Sequence, residues 1–187
     1  MKRLLILFVV CCFLVACGTN ATPTKEIAPF SFTDQNGDAF GSAQLEGHIW
    51  VAAFIFTNCE TICAPMTAEM SILQEMMEDE GLPVKFISFS VDPETDTPEI
   101  LQDYIQNFTE DTSNWHLLTG YSQTEIENFA REQFHTIVQK PATSTQVIHG
   151  SNFYLIDGDG HLLGEYNFID PTYEENLIAQ VQNALAK

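Results

Sequence analysis

One apolar run, residues 49–56, constrains the fold of this chain more than any other stretch of its sequence. Its β-branched and aromatic residues are typical of a strand that a sheet buries on both faces. The run ends at a polar pair, and Cys59 and Cys63 follow as a helical pattern begins. Because four residues make about one helical turn, two thiols at a helix start could face the same way. A helix N-terminus also favours thiolate over thiol, so the sequence predicts two activated sulfurs at the end of a buried strand.

The charge of the chain narrows its class of partner. The 187 residues include 26 acidic and 7 basic side chains, and the formal net charge is -19. A surface this acidic argues against nucleic-acid binding, because neutralising phosphates requires Lys and Arg. It would favour basic partners, although a solvated acidic surface with no specific partner is the simpler interpretation. The length suits one domain with a sizeable core, and we expect a monomer.

The first residues have the pattern of a signal that is removed from the mature protein. Lys2 and Arg3 give a positive start, and an apolar stretch follows over residues 4–16. At about 1.5 Å per residue this stretch reaches roughly 20 Å, which is short of the ~30 Å hydrocarbon core of a membrane. The length therefore favours a signal peptide over a spanning helix.

The signal ends in a sequence that resembles the bacterial lipobox. Residues 14–18 are Leu-Val-Ala-Cys-Gly, and in a lipobox the cysteine, here Cys17, becomes the lipidated first residue. The resemblance implies a diacylglyceryl anchor that holds the protein on the extracytoplasmic face of the cell membrane. An ordinary secretory signal with a chance cysteine is the alternative. We thus expect a lipoprotein signal peptide (1–16), a membrane-tethering linker (17–29) and one folded domain (30–187).

Removal of the signal leaves two cysteines for chemistry in the mature domain. Cys11 and Cys12 lie within the signal and Cys17 would carry lipid, so Cys59 and Cys63 stay as thiols. Outside the cytosol such a pair can oxidise to a disulfide unless something keeps it reduced. A purely structural disulfide is a poor explanation, because closing so short a loop removes little entropy from the unfolded chain.

The order of predicted elements indicates an α/β fold. Strand patterns alternate with helix patterns, which favours a sheet with helices on both faces. A strand, a cysteine at a helix start, a βαβ unit and a closing hairpin with a helix form a thioredoxin-like fold, here with an N-terminal β-hairpin extension. The predicted strands cover 49–56, 84–91, 115–120, 152–156 and 162–166, with a hairpin at 30–41 and helices at 64–79, 97–107, 122–134 and 173–186.

Two features that could bind a metal have a simpler structural explanation. Met66, Met70, Leu73 and Met77 recur at helical spacing after the cysteines. Thioether is a soft ligand that suits copper, but this spacing fits a core-facing stripe better. The acidic turn at 157–160 has too few ligands for a calcium loop, and we expect a hairpin turn there.

The spacing of the two cysteines leaves both redox and metal chemistry open. Thioredoxin-type redox sites place two residues between their cysteines, and here there are three. Two thiolates select soft or borderline ions, of which Cu(I), Cu(II) and Zn(II) are the leading candidates. Because two sulfurs leave a metal site incomplete, a third ligand is expected.

Histidine is a suitable third ligand, and one of the five histidines is favoured. His149 lies just before the strand that begins the C-terminal hairpin. In a thioredoxin-like fold the loop at that place packs against the cysteine turn, so Cys59, Cys63 and His149 can converge. The remaining four are expected to be surface or capping residues: His48, His116, His135 and His161.

Several separated motifs resemble the Sco (SenC) family. They are residues 57–63, the sequence Ser-Phe-Ser-Val-Asp-Pro at 88–93, Leu-Thr-Gly at 118–120, and His149 followed by Phe-Tyr-Leu-Ile-Asp at 153–157. The motifs occur in order and at the family's spacing, and the resemblance covers about residue 28 to the C-terminus. Members of this family are thioredoxin-fold copper proteins required for the CuA centre of cytochrome c oxidase.

The resemblance implies a copper metallochaperone. Copper, as Cu(I) or Cu(II), would be bound by the thiolates of Cys59 and Cys63 and the imidazole of His149. Its partner would be the cytochrome c oxidase subunit that carries the CuA site. We expect such a protein to hold and transfer a metal rather than to act as an enzyme.

Two residues depart from the pattern of the family. Many members have Pro directly after the second cysteine and Asp before the histidine, where this chain has Ala64 and Ile148. Neither departure removes a ligand, but the second puts in doubt any carboxylate that orients the imidazole. Asp92 is a weaker candidate for that role, because an ordinary turn aspartate before Pro93 explains it more simply.

Two other functions use the same cysteines. A thiol–disulfide oxidoreductase that reduces the copper-site cysteines of the oxidase would use Cys59 and Cys63, with His149 tuning their pKa values. A thiol peroxidase would need proline and threonine seven and three positions before the first cysteine, where Ala52 and Phe56 stand instead. A binding module without a metal is the remaining alternative.

Overall fold

The computed structural model describes residues 25–186, so the predicted signal peptide and Cys17 lie outside the described residues. Within this part of the chain, no helix combines the length and the apolar character needed to cross a membrane. The strands are β1 (Ser31–Asp34), β2 (Ala39–Gly41), β3 (Ile49–Ile55), β4 (Val84–Ser90), β5 (Trp115–Thr119), β6 (Val138–Gln139), β7 (Ile148–His149), β8 (Asn152–Ile156) and β9 (Leu162–Asn167). The helices are α1 (Ser42–Leu45), α2 (Cys63–Asp79), α3 (Pro98–Ile105), α4 (Gln123–Phe134) and α5 (Tyr173–Leu185).

A seven-stranded sheet runs through the domain in the order β2-β1-β5-β4-β3-β8-β9. Its central strands β3, β4 and β5 are parallel, and the flanking strands pair antiparallel. The parallel register sets Ile49 opposite Val84 and Ile55 opposite Ser90, so β3 and β4 end at the same edge of the sheet. The fold is therefore α/β and thioredoxin-like, as the order of elements predicts.

The apolar sequence of β3 matches its place in the sheet. Every residue of β3 is buried, because β4 and β8 flank it and its side chains enter the core. The stripe on α2 is also buried: Met66, Met70, Leu73 and Met77 are each at most 1% exposed. Burying one such side chain stabilises the fold by about 1.5–3 kcal/mol. The prediction that this methionine-rich stripe belongs to the core is confirmed.

Side-chain caps fix two of the predicted helix starts. Thr97 accepts the N–H of Ile100 at 3.4 Å, and Pro98 is the first residue of α3. Ser122 and Glu125 form a reciprocal capping box at the start of α4. Such caps satisfy first-turn amides that have no acceptor within the helix, which is why both boundaries were predictable.

Short elements account for most of the difference between prediction and structure. The chain has α1 where no helix was expected, and β6 pairs with β7 where no strand was expected. This second sheet sets Val138 opposite His149 and Gln139 opposite Ile148. Two-residue strands are too short to show a hydrophobic period. The predicted N-terminal hairpin is present, and it extends the main sheet because β1 pairs with β5.

Candidate metal centre

The two cysteines lie at the start of α2, at the edge where β3 ends. Cys63 is the first residue of α2, and Cys59 lies in the preceding loop rather than on the same helical turn, where the sequence predicts it. The Cys63 N–H donates to Cys59 Sγ at 3.4 Å. First-turn amides have no acceptor within the helix, so this N–H is available to a sulfur. The helix start therefore holds the two thiols together without a shared turn.

His149 faces the cysteines from β7, with its Nε2 atom 3.2 Å from Cys63 Sγ. The other ring nitrogen, Nδ1, lies 2.9 Å from the carbonyl oxygen of Gly150. A carbonyl oxygen can only accept a hydrogen bond, so Nδ1 carries the proton. Nε2 therefore keeps the lone pair with which it could bind a metal ion. Burial lowers the pKa of His149, although the Gly150 contact opposes this, so the neutral ligand form persists to lower pH.

The three donor atoms are already assembled. Cys59 Sγ, Cys63 Sγ and a ring nitrogen of His149 all lie within 4.8 Å of one another. Metal–sulfur and metal–nitrogen bonds are about 2.0–2.3 Å long, so two donors on one ion are at most about 4.6 Å apart. Only a small closure would therefore be needed to bind one ion. Two thiolates and an imidazole suit Cu(I), Cu(II) and Zn(II) rather than cations that prefer oxygen ligands.

The environments of the two thiols differ. Burial disfavours ionisation of Cys59, but hydrogen bonds from Cys63 and Thr61 outweigh it and lower the pKa of this thiol. Burial, and secondarily the neighbouring Cys59, raise the pKa of the Cys63 thiol well above its ordinary value. Cys63 is only 1% exposed, whereas Cys59 is half-buried. Cys59 is thus the more reactive sulfur, and Cys63 would release its proton when a metal binds.

Asp96 holds the beginning of the cysteine-bearing loop, a role that the sequence did not reveal. Its buried carboxylate accepts the hydroxyls of Thr57 and Ser90, both at 2.6 Å, and the Thr57 N–H at 3.3 Å. The Thr119 hydroxyl donates to the Asp96 carbonyl at 2.8 Å. These contacts tie together the ends of β3, β4 and β5. In the sequence, Asp96 looks like any polar residue before a helix N-cap.

Asp92 contacts a lysine instead of the imidazole of His149, for which the sequence made it a weaker candidate. Its carboxylate accepts from Lys140 Nζ at 2.7 Å, and Glu94 accepts from the same ammonium at 3.2 Å. Asp92 is 3% exposed, and Lys140 directly follows β6. The ion pair therefore fastens the strand pair that carries His149 to the end of β4. Asp92 therefore stabilises the β6–β7 strand pair instead of orienting the imidazole of His149.

The remaining histidines have structural roles where their contacts are defined. His135 ends α4 in a left-handed conformation, as expected of a capping residue. His116 differs from the surface position expected for it, because its side chain is only 16% exposed and its Nδ1 lies 3.2 Å from Asp34. The N–H of His161 donates to Asp157 at 2.8 Å, which closes the β8–β9 turn. The predicted hairpin turn at 157–160 is confirmed.

The fold and this cluster define a class of protein: a thioredoxin-like domain with two thiols and an imidazole arranged to bind a soft metal ion or exchange disulfides. The SCO1/SenC family model matches residues 18–186. The chain belongs to the SCO1/SenC family, as its motifs indicated. A SCO1 protein homolog of Bacillus subtilis is 46% identical over 175 residues, which cover 92% of this chain and 91% of that protein.

Solved structures agree with this assignment. A SCO1/SenC family lipoprotein from Bacillus anthracis has a TM-score of 0.84 and 48% identity, with 87% of this chain and 96% of that chain covered. ScoI of Bradyrhizobium japonicum, solved with copper bound, has a TM-score of 0.70 and 28% identity, with 86% and 99% covered. BsSco is similar as well, with a TM-score of 0.79 and 47% identity, and 87% of this chain and 94% of that chain are covered. It belongs to the Sco family of cytochrome c oxidase assembly proteins and has a disulfide switch.

Proposed function

We propose that this protein is a copper metallochaperone for the CuA centre of cytochrome c oxidase. Copper would be its cargo, held by the thiolates of Cys59 and Cys63 and by Nε2 of His149. The observation that carries the proposal is the position of three soft or borderline donors within 4.8 Å of one another. Copper-bound relatives and the oxidase-assembly role of the Sco family support it.

The burial of the ligands suits a metal that must be both held and passed on. Cys63 is buried at the start of a long helix, whereas Cys59 and His149 are half-buried on a loop and a two-residue strand. A ligand of the partner protein can therefore approach from the side of Cys59 and His149 and replace them one at a time. Cys63 would keep the ion in place during this exchange.

The proposed anchor would bring the domain to its partner. We propose that Cys17 is lipidated after removal of residues 1–16, so that residues 17–29 tether the domain of residues 30–187 outside the cytoplasmic membrane. The Bacillus anthracis relative is a lipoprotein, which supports this arrangement. Fully extended, residues 19–29 of this tether reach ~35–40 Å at about 3.4 Å per residue, enough for the domain to approach an outward-facing oxidase subunit.

The test is a Cu(II) titration of the reduced protein, followed by visible absorption and EPR. We expect one copper per chain and a sulfur-to-copper charge-transfer band. Cys59→Ser should weaken and shift this band, because it removes one of the two thiolates, and His149→Ala should weaken the Cu(II) form. Equal Cu(II) affinity and an equal spectrum in His149→Ala would contradict the three-ligand site.

A second function, thiol–disulfide exchange, is favoured by the unequal burial of the two sulfurs. The half-buried Cys59 thiolate could attack a disulfide of the oxidase and form a mixed disulfide, releasing one partner thiolate. Cys63 would then attack Cys59, releasing the second partner thiol and leaving a Cys59–Cys63 disulfide. Full oxidase assembly with His149→Ala would favour this exchange over copper delivery.

A further inference from the structure

The side chain of Gln146 connects the two halves of the metal centre. We define the cysteine loop as residues 56–62 and the histidine hairpin as residues 138–149, which contain β6, β7 and the loop between them. Gln146 Nε2 donates to the carbonyl oxygen of Asn58 at 3.0 Å. Its Oε1 accepts the N–H of Glu60 at 3.2 Å. Both partners flank Cys59, so one carboxamide spans the peptide groups on either side of this ligand.

We propose that Gln146 is a positioning residue that holds the cysteine loop to the histidine hairpin and thereby slows the release of bound copper. This proposal rests on the proposed copper-carrying function. A primary amide is suited to the role, because it donates from nitrogen and accepts at oxygen at the same time. The contact joins residues 86 and 88 positions apart in the chain.

We call the two hydrogen bonds of the Gln146 carboxamide to Asn58 and Glu60 the strap. The surrounding contacts show why this strap matters for Cys59 in particular. The two ends of the cysteine loop are held elsewhere, since Thr57 bonds to Asp96 and Cys63 belongs to α2. The middle of the loop, which carries Cys59, is held by Gln146 from the other side of the site.

The histidine hairpin is itself a firm support. Lys140 bonds to the buried carboxylate of Asp92 at 2.7 Å, and Val147 is only 6% exposed. The N–H of Gln146 donates to the hydroxyl of Ser144 at 2.9 Å, which fixes the loop around Gln146. Because His149 lies three residues beyond Gln146, the strap sets the position of Cys59 relative to His149.

Substitution of Gln146 should loosen the site without changing its ligands. Gln146→Ala removes both hydrogen bonds, and Gln146→Glu removes the donor and places a carboxylate against the Asn58 carbonyl. Two hydrogen bonds of typical net strength predict that copper release becomes roughly 5- to 150-fold faster. Thr145→Ala, a change at the exposed neighbour in the same loop, should leave the rate unchanged.

The experiment measures two quantities on the full mature protein in detergent. The first is hydrogen exchange of the Glu60 amide in the reduced, metal-free protein. The second is the decay of the sulfur-to-copper band of the Cu(II)-loaded protein in excess EDTA, with EPR to establish that the ligand set is retained. We expect faster Glu60 exchange in Gln146→Ala, which removes the acceptor of that amide, and faster copper release in both Gln146 variants than in Thr145→Ala. Circular dichroism should show that all three variants keep the fold.

The outcomes separate this proposal from the proposed function. Unchanged Glu60 exchange in Gln146→Ala would overturn the strap, and unchanged copper release would overturn its effect on the metal. Equal acceleration in Thr145→Ala would also overturn the proposal, because any loosening of the loop would then suffice. If the wild-type protein binds no copper, the proposed function fails, and the Glu60 exchange alone then supports or overturns the strap.

Discussion

Replacing Asp96 with alanine should lower the free energy of unfolding of the reduced, metal-free protein more than most changes near the candidate metal centre. The buried carboxylate accepts two hydroxyls at 2.6 Å and one N–H at 3.3 Å, from Thr57 and Ser90. A buried donor left without its acceptor costs about 1–3 kcal/mol, and because the two hydroxyls can reorient, we expect a total of about 3–5 kcal/mol.

Urea unfolding followed by circular dichroism measures this loss by linear extrapolation. Asp103→Ala is the matched control, because Asp103 lies exposed on the neighbouring helix α3 and its substitution should change stability by no more than about 0.5 kcal/mol. If Asp96→Ala cost less than about 1 kcal/mol, the claim that this carboxylate ties the strand ends together would be refuted.

The raised pKa of Asp96 predicts that the stability of the protein depends on pH. Burial raises the pKa of Asp96, although hydrogen bonds from Ser90 and Thr57 oppose the shift. The folded state therefore binds this proton more tightly than the unfolded chain does. The stability of the wild-type protein relative to Asp96→Asn should be greatest at low pH and should be lost as pH rises through the raised pKa. A relative stability that is constant between about pH 4 and 7 would contradict this assignment.

Three other predictions concern the thiols, the core and the histidine hairpin. Iodoacetamide should alkylate Cys59 faster than Cys63 in the metal-free protein, because Cys59 is less buried and its thiol has a lowered pKa; peptide mass spectrometry would detect equal rates if this were wrong. Leu73→Ala should destabilise the fold by about 2–5 kcal/mol in urea unfolding, with the 42% exposed Ile72→Ala as the control that should cost much less. Lys140→Met should cost about 1–3 kcal/mol, because it leaves a buried carboxylate unpaired, and an unchanged unfolding midpoint would argue against the ion pair.

The sequence predicted buried elements and reactive side chains correctly where a repeating apolar pattern or a rare residue type has one dominant physical cause. The apolar run of β3 and the stripe on α2 repeat over many residues, and both are buried as predicted. Cys59 and Cys63 were identifiable because sulfur chemistry is rare among side chains. His149 could be selected among five histidines through the expected fold and the family resemblance, because residue type alone does not show what an imidazole faces.

Asp96 and Gln146 could not be predicted for a physical reason. Each acts through hydrogen bonds between loops that are distant in the chain, with separations of 39 residues for Asp96 and Thr57 and 86 for Gln146 and Glu60. Such contacts depend on backbone positions that the whole fold determines, and they leave no periodic pattern in the sequence. The two-residue strands β6 and β7 escaped prediction because they are too short to show a period.

The way the three donors are held bears on whether this site could both bind and deliver copper. A site fixed entirely by core packing would release its ion slowly, because detaching a ligand would disrupt buried contacts. A site whose loops were not fixed in advance would have to order them each time it bound a metal ion. Here the buried Cys63 is part of the core cluster, whereas the half-buried Cys59 and His149 are linked through the carboxamide of Gln146. Hydrogen bonds at a surface are strong enough to assemble two ligands in advance and weak enough to open when a partner offers its own.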